Sequence, residues 1–548
     1  MCPQNRWKTP LASVLGSLVR LARAGLTLAR YGVSLVPRGM KVPFALRLAR
    51  ALTWPISIIT WPLRAATPRN RRTAEAFARL GPSYIKLGQF LATREDLIGP
   101  DLARDLRHLQ DRLAPFSMSE ARRAIEEALG GRLEDHFIEL SPPVAAASIA
   151  QVHKGVVLDK DGSRREVAVK ILRPGIERRF RRDLDSYYLV ARLVERVHRP
   201  SRRLKPVAIV DTLKATTELE MDLRLEAAAM SEMAENIVAD PALESGNFRV
   251  PAVDWKRTAQ RVLTVEWIDG IPIADKPRLE AAGHDLRGLG LTVLRSFLRH
   301  AMRDGFFHAD MHQGNLLVDQ AGNVVAVDFG IMGRLGAKER RFLAEILHGL
   351  IMRDYRRAAQ VHFWAGYVPP HHPVEVFAQA LRAIGEPIHG RTAEEISMAD
   401  LLGQLFAYTE VFDMETRPEL INLQKTMVVV EGVARGLDPG LNIWTAAEPI
   451  AREWIETNLG AAGALKDARE GAGEVGKLAS QLPALLADTE RVLASMAEMA
   501  HGGVRLDEAT IARLASAEAE RTRSGRIAIW IIAASGLALV AMLALAPG

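Results

Sequence analysis

Between residues 308 and 330 the chain reads HADMHQGNLLVDQAGNVVAVDFG, and this stretch restricts the fold more than any other. Asp310 precedes Asn315 by five residues, and Asp328, followed by Phe329 and Gly330, comes thirteen later. Two carboxylates and an amide in that order are what phosphoryl transfer requires. One carboxylate orients an acceptor and takes its proton, while the amide oxygen and the second carboxylate are hard donors suited to magnesium on nucleotide phosphates. The turn-rich spacing places all three on loops between short strands.

A second signal lies 140 residues upstream of Asp310. In REVAVKIL, Val167, Val169 and Ile171 take one face and Ala168, Lys170 and Leu172 the other, which predicts a strand presenting Lys170. A strand lysine, then D-x4-N, then D-F-G is the ordered set of a protein-kinase-like fold, with Lys170 on the α and β phosphates. After the strand pattern QRVLTVEWI, Glu266 and Ile268 are candidates for backbone contacts to adenine between two lobes, and Asp269-Gly270 reads as a turn. An alternative remains at this point, since His308, Asp310 and His312 also have the donor types of a metal-dependent hydrolase.

Three more motifs are Lys86-Leu87-Gly88-Gln89, the alanine-rich Val144-Ala145-Ala146-Ala147-Ser148-Ile149-Ala150-Gln151-Val152-His153, and Glu220-Met221-Asp222 with Glu226. Alanine admits backbone close to phosphate but makes positive φ costly, so such a loop is stiffer than a glycine-rich one. On a helix Lys86 and Gln89 share a face, as do Asp222 and Glu226, whereas Glu220 is rotated from Glu226 by about 120°. With the strand lysine and the loop set, these motifs resemble the UbiB family of atypical kinase-like proteins from about Arg79 to about Asp438.

The resemblance implies an alanine-rich loop, 144–152, in place of the glycine-rich one over ATP, and an extension carrying Lys86 and Gln89 that lies over the active site. It also implies that Glu226 pairs with Lys170, that Glu220 with Asp222 engages Lys86, and that the protein supports ubiquinone biosynthesis with ATP and Mg2+ as cofactors. Lipid quinone precursors and ubiquinone-biosynthesis enzymes are then the expected partners. One departure stands out: Met311 and Gln313 occupy positions where the family commonly has proline. The polar groups remain, so activity is expected, as an ATPase or small-molecule kinase, a protein kinase, or failing turnover a nucleotide-binding scaffold.

The ends of the chain carry a different message. Thirteen Lys and Arg precede Glu75, the first acid, although the whole chain has only 72 cations against 65 acids. A basic arm on an otherwise acidic body points to an anionic membrane lipid and away from nucleic acid. Residues 527–546 are uncharged and, at about 1.5 Å per residue, long enough for a core of about 30 Å. Arg521, Arg523 and Arg526 precede that span, which puts the body on the cytoplasmic face of a bacterial inner membrane, the mitochondrial inner membrane being the lesser alternative. Small residues around Gly536 offer a surface for helix pairing in a homodimer. The single cysteine, Cys2, excludes intrachain disulfides and cysteine-based zinc sites. No flavin-type glycine fingerprint and no iron ligand set support a hydroxylase.

The expected class is therefore α+β, a bilobal protein-kinase-like fold with an N-terminal helical extension and a C-terminal transmembrane helix. The expected division is a basic membrane-surface arm (1–74), a helical extension (75–138), an N-lobe (139–270), a C-lobe (271–460), a helical spacer (461–526) and the transmembrane helix (527–546).

Overall fold

The computed structural model describes residues 11–33, 68, 71–92, 98–107, 109, 113–197, 202, 205–240, 247–389, 408, 411–414, 418–441 and 443–459. The chain divides into two compact units, Met1–Ile455 and Glu456–Gly548. The expected spacer and the span 527–546 lie outside the described residues, and among those described no helix is long and apolar enough to cross a membrane.

The first unit begins with α1 (Leu11–Tyr31), α2 (Arg72–Leu80), α3 (Pro82–Ala92) and α4 (Pro100–Arg107). Gly81, at φ 107°, ends α2, and Pro82 opens α3 where a missing N–H costs nothing. Phe77, Ile85, Leu106 and Leu109 form the core of this layer. Gly88 of α3 permits the close approach, because a methyl there would collide with Leu109 and Phe77. Of the expected basic arm only 11–33, 68 and 71–74 are among the described residues, and there Arg20 is bonded within the protein. Its Nε donates to Ser186 Oγ at 3.0 Å and stands 3.9 Å from Asp183, a largely buried carboxylate that draws a cation inward. Leu18, Val19 and Leu26 of α1 stay exposed.

Helix α5 (Met118–Leu129) starts at a capping box, in which Ser117 Oγ accepts from Glu120 N and the Glu120 carboxylate accepts from Ser117 N. Strands β1 (Glu139–Ala146), β2 (Ala150–Leu158) and β3 (Arg164–Leu172) follow, then α6 (Ile176–Val197), α7 (Pro206–Glu220) and α8 (Leu223–Val238). Beyond them lie β4 (Phe248–Arg249), β5 (Val262–Glu266) and β6 (Gly270–Pro272). β1, β2, β3 and β5 make an antiparallel sheet in the order β1-β2-β3-β5. Its two faces sort as the alternation in REVAVKIL predicts. Val167, Val169, Ile171 and Val262 pack under Ala121, Ala124 and Ile125 of α5, whereas Ala150, Leu172, Leu263 and Val265 join the main core on the other side.

The rest of the unit comprises α9 (Lys276–Ala281), α10 (Leu286–Arg299), β7 (Phe306–His308), β8 (Leu316–Asp319), β9 (Val324–Ala326), β10 (Met332–Arg334), α11 (Ala337–Ile351), α12 (Tyr355–Trp364), α13 (Val374–His389), α14 (Pro418–Leu437) and all but the last four residues of α15 (Ile443–Leu459). A second sheet runs β4-β9-β8-β6, and β7 pairs with β10. Gly270 is not a turn residue, as the dipeptide suggested, but the first residue of β6. It faces Asp319, and a side chain there would come within 2.9 Å of the Val318 carbonyl. These sheets and helices give the expected α+β class.

Candidate active site

Lys170 and Val152 are cross-strand partners on the sheet face turned away from α5. Lys170 Nζ donates to both oxygens of Glu226 at 2.8 and 3.0 Å and to Asp328 Oδ1 at 3.1 Å. Glu226 is buried in the first turn of α8. Burial opposes the charge on Lys170, but Asp328 and Glu226 together outweigh it and hold its pKa above the ordinary lysine value. The ammonium holds Asp328 well below the usual carboxylate range. Burial pushes Glu226 up, against the pull of Lys170, so of the two acids sharing one cation it has the greater affinity for a proton. Asp328 also adopts φ 66°, a left-handed conformation costing an L-residue roughly 1–2 kcal/mol. The Lys170 contact helps hold it there.

The loop from His308 to Asn315 is organised by its own side chains. His308, buried edge-on against Phe329 with ring centroids 4.9 Å apart, accepts from Asp310 N at Nδ1 (3.0 Å). His312 Nδ1 accepts from Gly314 N at 2.9 Å, and Asn315 Nδ2 donates to the Asp310 carbonyl at 3.0 Å. Those bonds supply order where the family commonly places proline, with Met311 buried beneath and Gln313 opening a single 3-10 turn. They also set aside the metallohydrolase alternative: both histidines give a ring nitrogen to backbone, and among the described residues His308, Asp310 and His312 do not gather as a metal-ligand set. Burial lowers the His308 pKa, consistent with a neutral ring. Asp310 keeps its carboxylate about half exposed, at 43%. Val327 N donates to the Asn315 carbonyl at 2.8 Å, so the β8–β9 hairpin seats Asn315 beside the residue preceding Asp328.

The alanine-rich segment spans the end of β1, a tight turn and the start of β2. Ala147 N donates to the Ala150 carbonyl at 2.8 Å. Val144 and Ala145 are exposed, Ala146 and Ala147 half-buried, and Ser148 and Ala150 buried. The side chains of Ile149 and Gln151 turn inward. Ile149 belongs to the main core. Gln151 lies on the same sheet face as its partner Ile171, fully buried, where it accepts from Phe116 N at 2.9 Å and meets His153 Nε2 at 2.8 Å. Strand alternation forces this, because Val152 holds the opposite face. Arg173, which motif reading passed over, ties the turn down: its guanidinium donates to the Ala147 carbonyl at 3.1 and 2.8 Å and to the Ala114 carbonyl at 3.0 Å.

At the strand leaving the sheet, Ile268 is buried and Glu266 has a side-chain role that was not expected. Arg249 donates to both Glu266 oxygens at 3.1 and 3.0 Å and to Asp319 Oδ2 at 2.9 Å. Arg249 thereby joins the end of β5 to the second sheet. Only the ladder pairing of β4 with β9, far apart in sequence, brings it there.

Residues 108–362 match the ABC1 atypical kinase-like domain and residues 381–442 the UbiB helical domain. A protein of Marinobacter nauticus called probable protein kinase UbiB is 41% identical over 73% of this chain and 72% of its own. The chain belongs to the UbiB family. UbiB proteins of the same description from Xanthomonas campestris (37% identical, 86% of this chain and 84% of theirs) and Cellvibrio japonicus (36%, 97% and 94%) match over still longer spans. Among solved structures, a Mycobacterium tuberculosis protein in complex with erythromycin, Rv3197, is 24% identical over 74% of this chain and 96% of its own, at a TM-score of 0.46, too loose to place residues.

An ion pair joins the helical extension to the end of α7. Lys86 Nζ of α3 lies 2.6 Å from Glu220 Oε2, with 17% and 11% of the two side chains exposed. Asp222 does not share in it, and no single helix carries Glu220, Asp222 and Glu226. The helix ends at Glu220, and Asp222 becomes the N-cap of α8, accepting from Arg224 N and pairing with the Arg224 guanidinium at 2.6 Å. Asp is among the best N-cap residues, which is the physical reason for the break. Gln89 lies half-buried on α3, three residues from Lys86.

Proposed function

We propose that this protein binds ATP with magnesium in the cleft around Lys170 and turns it over at the cytoplasmic face of the bacterial inner membrane, in support of ubiquinone biosynthesis. The work done there is ATP-driven handling of lipid quinone precursors or of the enzymes that act on them. The observation carrying this reading is the Lys170, Glu226 and Asp328 cluster facing a loop that holds Asp310 and Asn315.

Lys170, oriented by Glu226, is a cation placed for the α and β phosphates. The backbone of Glu266 and Ile268 serves the adenine edge, and the turn at 145–150, braced by Arg173, closes over the phosphates. The donor set fits magnesium: Asp328 is kept ionised by Lys170, and Asn315 commits its nitrogen to the loop, leaving the amide oxygen as a hard donor. Magnesium, when bound there, supplies neutralisation of charge between phosphate oxygens. Asp310 is the one loop carboxylate open to an acceptor hydroxyl or water, which it orients and deprotonates. Membrane attachment rests on the uncharged span 527–546 and its arginine flank, with the basic segment 1–74 adding contact to anionic lipid.

The description of the relatives as probable protein kinases favours a second reading in which a protein takes the phosphoryl group. ATP hydrolysis by the full chain in detergent, with and without anionic liposomes and a phenolic quinone-precursor mimic, tests both. Stimulation by lipid or phenol supports the first. Rates that respond to neither, with label appearing on a ubiquinone-biosynthesis enzyme, replace it by the second.

A further inference from the structure

Far along the chain from the ATP cleft, the geometry points to a divalent transition-metal site, of zinc class, built from His371, His372 and Asp413. The three donor atoms lie within 4.8 Å of one another. Asp413 Oδ2 is 3.7 Å from His371 Nε2 and 3.5 Å from His372 Nε2. In a tetrahedral zinc site with bonds of about 2.0–2.1 Å, neighbouring donors stand about 3.3 Å apart. Two edges of such a tetrahedron are therefore within a few tenths of an ångström of closing.

The cluster is held from below. Phe412 is buried among Tyr355, Phe377 and Leu381, with its ring centroid 4.9 Å from Phe377 and 5.3 Å from the His372 ring. That packing fixes both the peptide that carries Asp413 and the imidazole facing it. The two histidine rings lie 4.1 Å apart. Asp413 adopts φ 48°, a conformation that L-residues avoid, and it is this backbone that carries the carboxylate between them. His372 Nε2 is shielded from solvent and has no hydrogen-bond partner among the described residues, although the carboxylate is nearby. A shielded ring nitrogen without a donor or acceptor is costly unless something else occupies its lone pair.

Two imidazoles and one carboxylate are ligands for zinc, cobalt, nickel or iron rather than for magnesium, so this site and the ATP cleft select different ions. Three protein ligands leave a fourth position for water. Because His371 and His372 precede α13 while Asp413 precedes α14, the ion joins two segments about forty residues apart and stabilises the packing of Phe412 between them.

The test uses the full chain in detergent, stripped with a chelator and titrated with zinc chloride, alongside Asp413→Asn and His371→Ala/His372→Gln. Calorimetry is expected to find one equivalent in the parent that both variants lose. Its thermal midpoint should rise with zinc in the parent alone, and cobalt chloride should give the parent tetrahedral visible bands that the variants lack. Equal stoichiometry in all three proteins, or no saturable zinc binding in the parent, overturns the assignment. If a variant's metal-free midpoint falls by several degrees, the cobalt spectrum of the parent decides: its absence also overturns the site. ATP turnover in magnesium should be the same in parent and variants, so this outcome stands apart from that of the proposed function.

Discussion

Lys86 and Glu220 meet at 2.6 Å where the extension touches the kinase-like body, and Glu220 is the last residue of α7, with only Met221 and Asp222 between it and the helix that carries Glu226. The extension is thus linked through one short turn to the element that orients Lys170. Removing Lys86 strands the Glu220 carboxylate in a mostly buried setting, which costs about 3 kcal/mol. Lys86→Met should lower the thermal midpoint by several degrees, and Glu220→Gln added to it should recover much of the loss. Equal, additive losses would show that the two residues do not act as a pair.

Arg173 predicts a change in nucleotide affinity without a change in fold. Each of its bonds to the Ala147 and Ala114 carbonyls contributes about 1 kcal/mol. Arg173→Ala should raise the ATP dissociation constant roughly tenfold. Arg173→Lys should not restore it, because an ammonium cannot reproduce the planar fork. Fluorescent-nucleotide titration of both variants measures this.

Lys170 faces two acids, so its replacement has two consequences. Lys170→Met should cut turnover about 10²-fold or more and leave Glu226 buried beside Asp328 without a cation. A second change, Glu226→Gln, should then regain stability but not activity. Steady-state ATPase rates and thermal midpoints of the single and double variants separate the two effects.

His300 and His362 are two of the buried histidines that contribute to the response to acid. Burial, then the nearby Arg303 charge, pushes His300 down to about 3, and burial pushes His362 down to about 4. Their folded pKa values lie below the ordinary 6.5, so the stability they confer is complete above pH 6.5 and is lost as pH falls through the folded values. Within that window each contributes about 1.4 kcal/mol per pH unit. His300 Nε2 has no hydrogen-bond partner among the described residues and its ring packs 5.5 Å from Phe248. His300→Phe should therefore keep or raise the thermal midpoint at pH 7.5 and flatten its decline between pH 6.5 and 5.

The site was legible in sequence wherever a residue's position follows from local period. Strand alternation alone put Lys170 and Ile171 on opposite faces, and the short spacing within HADMHQGN kept Asp310 and Asn315 on one loop. Period also exposes an inconsistency in the alanine-rich run, since a strand beginning at Ala150 cannot point both Gln151 and Val152 at nucleotide. The break at Asp222 was harder to see, because Leu, Glu and Ala on both sides favour helix and only a cap marks the end. Arg173 and Arg249 were not legible at all. Their partners are carbonyls and carboxylates brought close by sheet pairing, and neither sits in a motif. The α1 packing was missed for a related reason: a charge count sees thirteen cations, but it does not see Asp183 waiting 163 residues after Arg20.

The most direct test of the account is magnesium-dependent ATP hydrolysis by the purified full chain beside Asp328→Asn. Asp328 contacts Lys170 beside Glu226 and belongs to the proposed metal-holding pair with Asn315, so the account predicts turnover in the parent that requires magnesium and falls at least about 10²-fold in the variant. Equal turnover in both proteins, or nucleotide bound with magnesium but never hydrolysed by the parent, would contradict it.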